Sequence, residues 1–94
     1  MTLTTLALAP KLDLHALDGV REQILDLRGQ DVALDAQDVT HFGALSVQLI
    51  RSAALSWASS RHRLSLVNVT PDGMEQLRLL GFTPETLTQA EGTT

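Results

Sequence analysis

Ninety-four residues are enough for one hydrophobic core and too few for two. Hydrophobic residues are 44% of the chain and charged residues 19%, the balance of a folded globule and far from the disordered regime. The net charge of -4, with Lys11, Arg21, Arg28, Arg51, Arg61, Arg63 and Arg78 spread out rather than clustered, favours no nucleic-acid partner, and the lack of cysteine excludes disulfides, thiolate metal sites and cysteine catalysis.

The predicted elements follow one another in an orderly alternation. "LTTLALA", residues 3 to 9, mixes Leu and Thr in an extended pattern until Pro10 interrupts it, which predicts a strand near a sheet edge. "KLDLH" adds a second short extended piece. From Ala16 the period becomes helical, with Leu17, Val20, Ile24 and Leu27 on one stripe and Gly29 at the stop. "VALDA", residues 32 to 36, is a short apolar run of the kind buried strands show. A helix is predicted over residues 44 to 59. Its apolar set, from Leu45 and Leu49 to Leu55 and Trp57, covers more than half the circumference, so burial against both the sheet and a neighbour is expected. "RLSLVNV", residues 63 to 69, reads as another strand. Thr70 is the N-cap and Pro71 the first residue of a third helix, with Met74, Leu77 and Leu80 expected inside and Gly81-Phe82 closing it. Thr83-Pro84-Glu85 repeats the start signal, predicting a short last helix through about Ala90, after which residues 91 to 94 are expected to fray.

Strands alternating with helices imply parallel pairing through right-handed crossovers. The fold class is therefore a small single-domain α/β protein: a mixed, mostly parallel sheet of four or five strands packed with three or four helices. Ile24, Leu34, Leu49, Leu66 and Leu77 are the expected core. No apolar run reaches the roughly 18 residues of a membrane span, and "MTLTTLALAP" lacks the basic flank of a signal peptide. A cytoplasmic protein without membrane insertion is expected.

Chemistry-bearing constellations are sparse. His15, His41 and His62 fall on different loops or helix starts, whereas a metal needs at least three converging ligands. Asp35 and Asp38 read as local Asx turns rather than an acid pair, and Arg61-His62-Arg63 as a solvated loop. The serines of the second helix have no base or oxyanion site to make one of them a nucleophile. Gly43 alone is no phosphate loop, because no Gly-rich run and no following Lys accompany it. No cofactor is implied. What stands out is "DVTHFGALSVQLI", residues 38 to 50, where a polar extended approach turns at Gly43 straight into a helix, with Gly43 and Ala44 offering no reactive group.

Three stretches carry a family resemblance: "LAPKLDLHALDGVREQIL", "VALDAQDVTHF" and "LSLVNVTPDGMEQLRLLGF". In this order and spacing they resemble a STAS domain over roughly residues 5 to 82. That is the fold of bacterial anti-sigma factor antagonists and of the cytoplasmic tails of sulfate transporters. In the antagonists the central strand leads to an Asp-Ser-x-Gly-Leu turn whose Ser is phosphorylated by the partner kinase. Laid over that pattern, Gly43 takes the Asp position, Ala44 the phosphoacceptor Ser, Ser46 the Gly and Val47 the Leu. A methyl group cannot accept a phosphoryl, so the switch does not carry over to Ala44. The resemblance implies a non-enzymatic interaction module in bacterial signal transduction. Its partner would be a kinase-like anti-sigma factor or another signalling regulator, docked through His41, Gly43, Ala44, Leu45, Ser46, Val47 and Arg51. The alternative it allows is the soluble STAS subunit of a phospholipid-transporting ABC system.

Overall fold

A computed structural model describes residues 3–89. In chain order the elements are β1 (Leu3–Ala7), β2 (Lys11–Leu12), α1 (Leu14–Leu25), β3 (Asp31–Asp35), β4 (His41–Phe42), α2 (Ala44–Ser59), β5 (Leu64–Val67), α3 (Pro71–Leu79) and α4 (Pro84–Leu87). Val32, Ala33 and Leu34 are consecutive, apolar and buried, so β3 belongs in the middle of a sheet. There it lies, in the order β1-β3-β5, parallel to both neighbours, with Thr4, Val32 and Leu64 in one row and Leu6, Leu34 and Leu66 in the next.

Those two rows face the helices. Val32, Leu34, Leu64 and Leu66 join Ile24, Ile50, Ala54, Trp57, Leu77 and Leu87 in one core cluster. The opposite face carries Leu3, Thr5, Ala7, Asp31, Asp35, Ser65 and Val67, exposed or half-exposed, around a central Ala33 that they shield. The domain is a small α/β unit with its helices on one side of the main sheet.

The expectation of a single sheet of four or five strands, partly antiparallel, is corrected in two respects. Every strand pairing among the described residues is parallel, and β2 pairs with β4 in a separate two-stranded sheet. Pro10 is the physical cause, since it cannot donate to a ladder and stops β1 short of β2. Its carbonyl instead accepts Thr40 N–H at 2.7 Å and His41 N–H at 3.3 Å, which starts the second sheet beyond the end of the first.

Helix ends follow the caps. The Asp13 carboxylate accepts the N–H groups of His15 and Ala16, so α1 starts at Leu14, two residues before the periodicity placed it. Thr70 caps α3 with Pro71 at the first position. That helix closes with Gly81 at φ 92°, Gly81 N–H on the Arg78 carbonyl and Phe82 N–H on the Leu77 carbonyl, a complete Schellman ending. Two inward faces differ from expectation. On α2 the buried stripe is Val47, Ile50, Ala54 and Trp57, leaving Leu45 and Leu55 exposed and Leu49 half-buried. On α3 the buried pair is Gly73 and Leu77, and Met74 and Leu80 are exposed. A Cβ on Gly73 would stand 3.0 Å from the Phe42 ring and 3.0 Å from Val69, so the helix approaches β4 along the Gly73–Leu77 line and turns Met74 outward. No helix among the described residues is long and apolar enough to cross a membrane. Ala90 and residues 91 to 94 lie outside the described residues.

Candidate functional site

The two-stranded sheet delivers two helix starts side by side. Lys11 pairs with His41 and Leu12 with Phe42, so the next residues, Asp13 and Gly43, are the neighbouring N-caps of α1 and α2. Gly43 N–H donates to the Leu12 carbonyl at 3.2 Å, carrying the pairing into the turn. The two caps are chemically unequal. Asp13 brings a carboxylate, whereas Gly43 brings no side chain and α2 starts without a side-chain cap bond.

Gln76 fixes the outer side of β4. Its carboxamide oxygen accepts Phe42 N–H at 2.7 Å and its amide nitrogen donates to the Thr40 carbonyl at 2.9 Å. One side chain of α3 therefore supplies the donor and acceptor that a third strand would. The Thr40 hydroxyl also donates to the Pro10 carbonyl at 3.1 Å. The turn is held from both sides.

At its tip the surface is apolar. Ala44 is exposed, Leu45 is 53% exposed, and Leu14 from the neighbouring helix start is 71% exposed. His41 is exposed on the same strand, its Nε2 3.6 Å from where a Gly43 Cβ would be. Three residues expected on this face are turned elsewhere. Ser46 is 2% exposed and its hydroxyl donates to the Gly43 carbonyl at 2.6 Å, while Val47 is buried in the core. Successive helical residues rotate by about 100°, which carries these two from the tip to the inner stripe. Arg51 lies further along α2, and its guanidinium donates to the carbonyls of Thr86, Leu87 and Gln89 at the end of α4.

Sequence reasoning missed Gln76 and Leu14. Nothing in a helical pattern marks Gln76. Leu14 could have been found by reading Asp13 as an N-cap, which makes Leu14 the first residue of the helix and leaves it off the Val20-Ile24 stripe.

The other polar groups remain local. Asp35 accepts Gln37 N–H at 3.0 Å in an Asx turn and the Asn68 amide at 3.2 Å. Asp31 accepts Arg63 N–H at 2.9 Å and faces His62 Nδ1 at 3.5 Å. The Arg63 N–H, followed by the His62 contact, holds the Asp31 carboxyl below the usual carboxylate range. His62 and Arg63 also border a shallow cavity of about 360 Å³ against Glu85 of α4. No group of three His, Asp or Glu able to hold a metal occurs among the described residues. No family model, curated protein or solved structure matches the chain.

Proposed function

We propose that this chain is a STAS-like, non-enzymatic, cytoplasmic interaction module that docks on a signalling regulator through the β4–α2 turn. The observation that carries the reading is the apolar tip formed by Leu14, Ala44 and Leu45 on two adjoining helix starts. A shape pinned by the Gln76 carboxamide and the Leu12 carbonyl spends little entropy on ordering when a partner arrives. A kinase-like anti-sigma factor is the class of partner that the sequence resemblance favours. With a methyl at position 44, docking is constitutive: no phosphoserine can place about −1.5 to −2 charges in the interface.

The test is capture from native lysate by the full chain and by two variants, Ala44→Arg and Leu45→Asp, with the captured regulator then expressed and titrated. Each variant should lose about 2 kcal/mol of affinity, roughly thirtyfold in Kd. The free domain's stability should move by no more than about 0.5 kcal/mol, because both sites are exposed. Equal affinity for native chain and variants would place the docking face elsewhere. Recovery of a transporter ATPase in place of a regulator would move the assignment to the transport class. Substitution at Ser46 or Val47 is no substitute, since both are buried and a charge there would attack the fold itself.

A further inference from the structure

The two edges of the three-stranded sheet are finished differently. α4 packs alongside β5. The Arg63 and Val67 carbonyls accept from Val32 and Ala36, so Leu64 and Leu66 turn their main-chain groups outward, and these two residues are only 2% and 7% exposed. At the other edge Leu8 N–H donates to the Asp35 carbonyl at 3.0 Å. Because alternate residues point the same way, Thr4 and Leu6 are committed to β3, and the N–H and C=O groups of Leu3, Thr5 and Ala7 point away from the sheet. Leu3, Thr5 and Ala7 are all exposed, and no strand lies beside them among the described residues. Edge strands are ordinarily blunted by charge, proline, a bulge or a cover. β1 reads Leu-Thr-Thr-Leu-Ala, without charge or proline and in unbroken register with β3.

We propose that β1 pairs antiparallel with β1 of a second copy of this chain, about a two-fold axis at Thr5, joining the two main sheets into one. The inference does not rest on the docking reading above. The register follows from the geometry. Antiparallel strands exchange N–H···O=C bonds at alternate residues. Centred on Thr5, the pairing sets Thr5 against the second copy's Thr5 and Leu3 against the second copy's Ala7. These are the residues whose main-chain groups point outward, so every free donor and acceptor of the strand is used. A slip by one residue would bring in Thr4 and Leu6, whose groups already serve β3. Opposed Thr side chains are a favourable cross-strand pair.

Charge is compatible with this occupant. Asp31 of one copy and the second copy's Asp35 would stand three strand spacings apart, about 14 Å, beyond the roughly 8 Å over which exposed charges act at physiological salt. Stacking of the open sheet faces would cover Leu3, Ala7, Ala33 and Val67, but it would also desolvate Asp31 and Asp35 on the same face and so fits less well. A strand edge of this length buries well under the roughly 1,200 Å² of a tight interface, so the pairing is weak and concentration-dependent.

Sedimentation equilibrium of the full chain across the micromolar-to-millimolar range should show the mass doubling. Thr5→Pro removes an N–H that β3 does not use and should keep the chain monomeric throughout. Because the chain has no cysteine, single cysteines report the register. Opposed residues of a hydrogen-bonded pair lie about 5.5 Å apart at Cα, within disulfide reach, so Thr5→Cys should give a covalent dimer under mild oxidation. Leu3→Cys would face its own copy about 14 Å away and should stay monomeric. The proposal is overturned by a monomer at millimolar concentration, by a dimer that Thr5→Pro leaves intact, or by Leu3→Cys cross-linking as readily as Thr5→Cys. The last result would point to stacked faces instead.

Discussion

Gly43 is a glycine for reasons of space and not of backbone angle. Its φ of -72° and ψ of 155° suit any residue, but a Cβ there would stand 2.9 Å from the Leu12 carbonyl oxygen, a backbone atom with little freedom to yield. Gly43→Asp would add a carboxylate suited to capping α2, worth about 1 kcal/mol, and at the same time force that contact. Overpacking of this kind costs about 1–3 kcal/mol. A net loss in urea denaturation is expected, and an unchanged midpoint would mean that β2 and β4 separate easily. The absence of a reactive group at this turn was plain from the residues; the steric reason was not, because the Leu12 oxygen comes from a strand far back along the chain. Thr70, Asp35 and Pro71 were legible, since each acts on backbone within three residues of itself. Ser46 and Val47 are near the turn along the chain but not on its surface. The stripe Val47-Ile50-Ala54-Trp57 was present in the sequence and would have turned both inward.

β4 is too short to show any period, and it reads as loop until its partners are known. What makes it an element is the Lys11-Leu12 backbone on one side and the Gln76 carboxamide on the other. Gln76→Glu tests the second. The carboxylate can still accept Phe42 N–H, but its other oxygen would face the Thr40 carbonyl, replacing a hydrogen bond with repulsion. The expected loss is about 1–3 kcal/mol, with faster hydrogen exchange across residues 40 to 43 than across the centre of β3. Unchanged exchange there would show that the β2 pairing alone suffices. Helices were legible where cap and termination signals agreed, as in α3, or where a long apolar run alone carried the period, as in α2. The inner face of α3 was not, because Gly73, the residue nearest its neighbours, has no side chain for a hydrophobic pattern to register.

On the scale of the whole molecule, the order of strands and helices could be read apart from β4, but not the division into two sheets. That division depends on Pro10 receiving the Thr40 and His41 amides, a contact between distant segments. Asp31 makes a comparable long link, joining the start of β3 to the segment before β5. Its carboxyl is held below its ordinary value, so the folded state gains stability from it above the usual range near 3.9 and loses that gain as pH falls through the lowered value. Asp31→Asn should be less stable than the native chain near neutrality, and the two melting curves should converge on acidification. Parallel curves would assign the effect to packing. Four residues cannot hold a helix alone, so α4 stays beside β5 through buried Leu87 and the hydrogen bonds from Arg51. A body with one open pairing side finds one mate and stops, whereas a body with two goes on adding. Arg51 and Leu87 therefore set the valence of the molecule: with α4 in place, association through β1 closes at a pair, and with α4 lifted the same hydrogen bonding could run on, copy after copy, into a fibre.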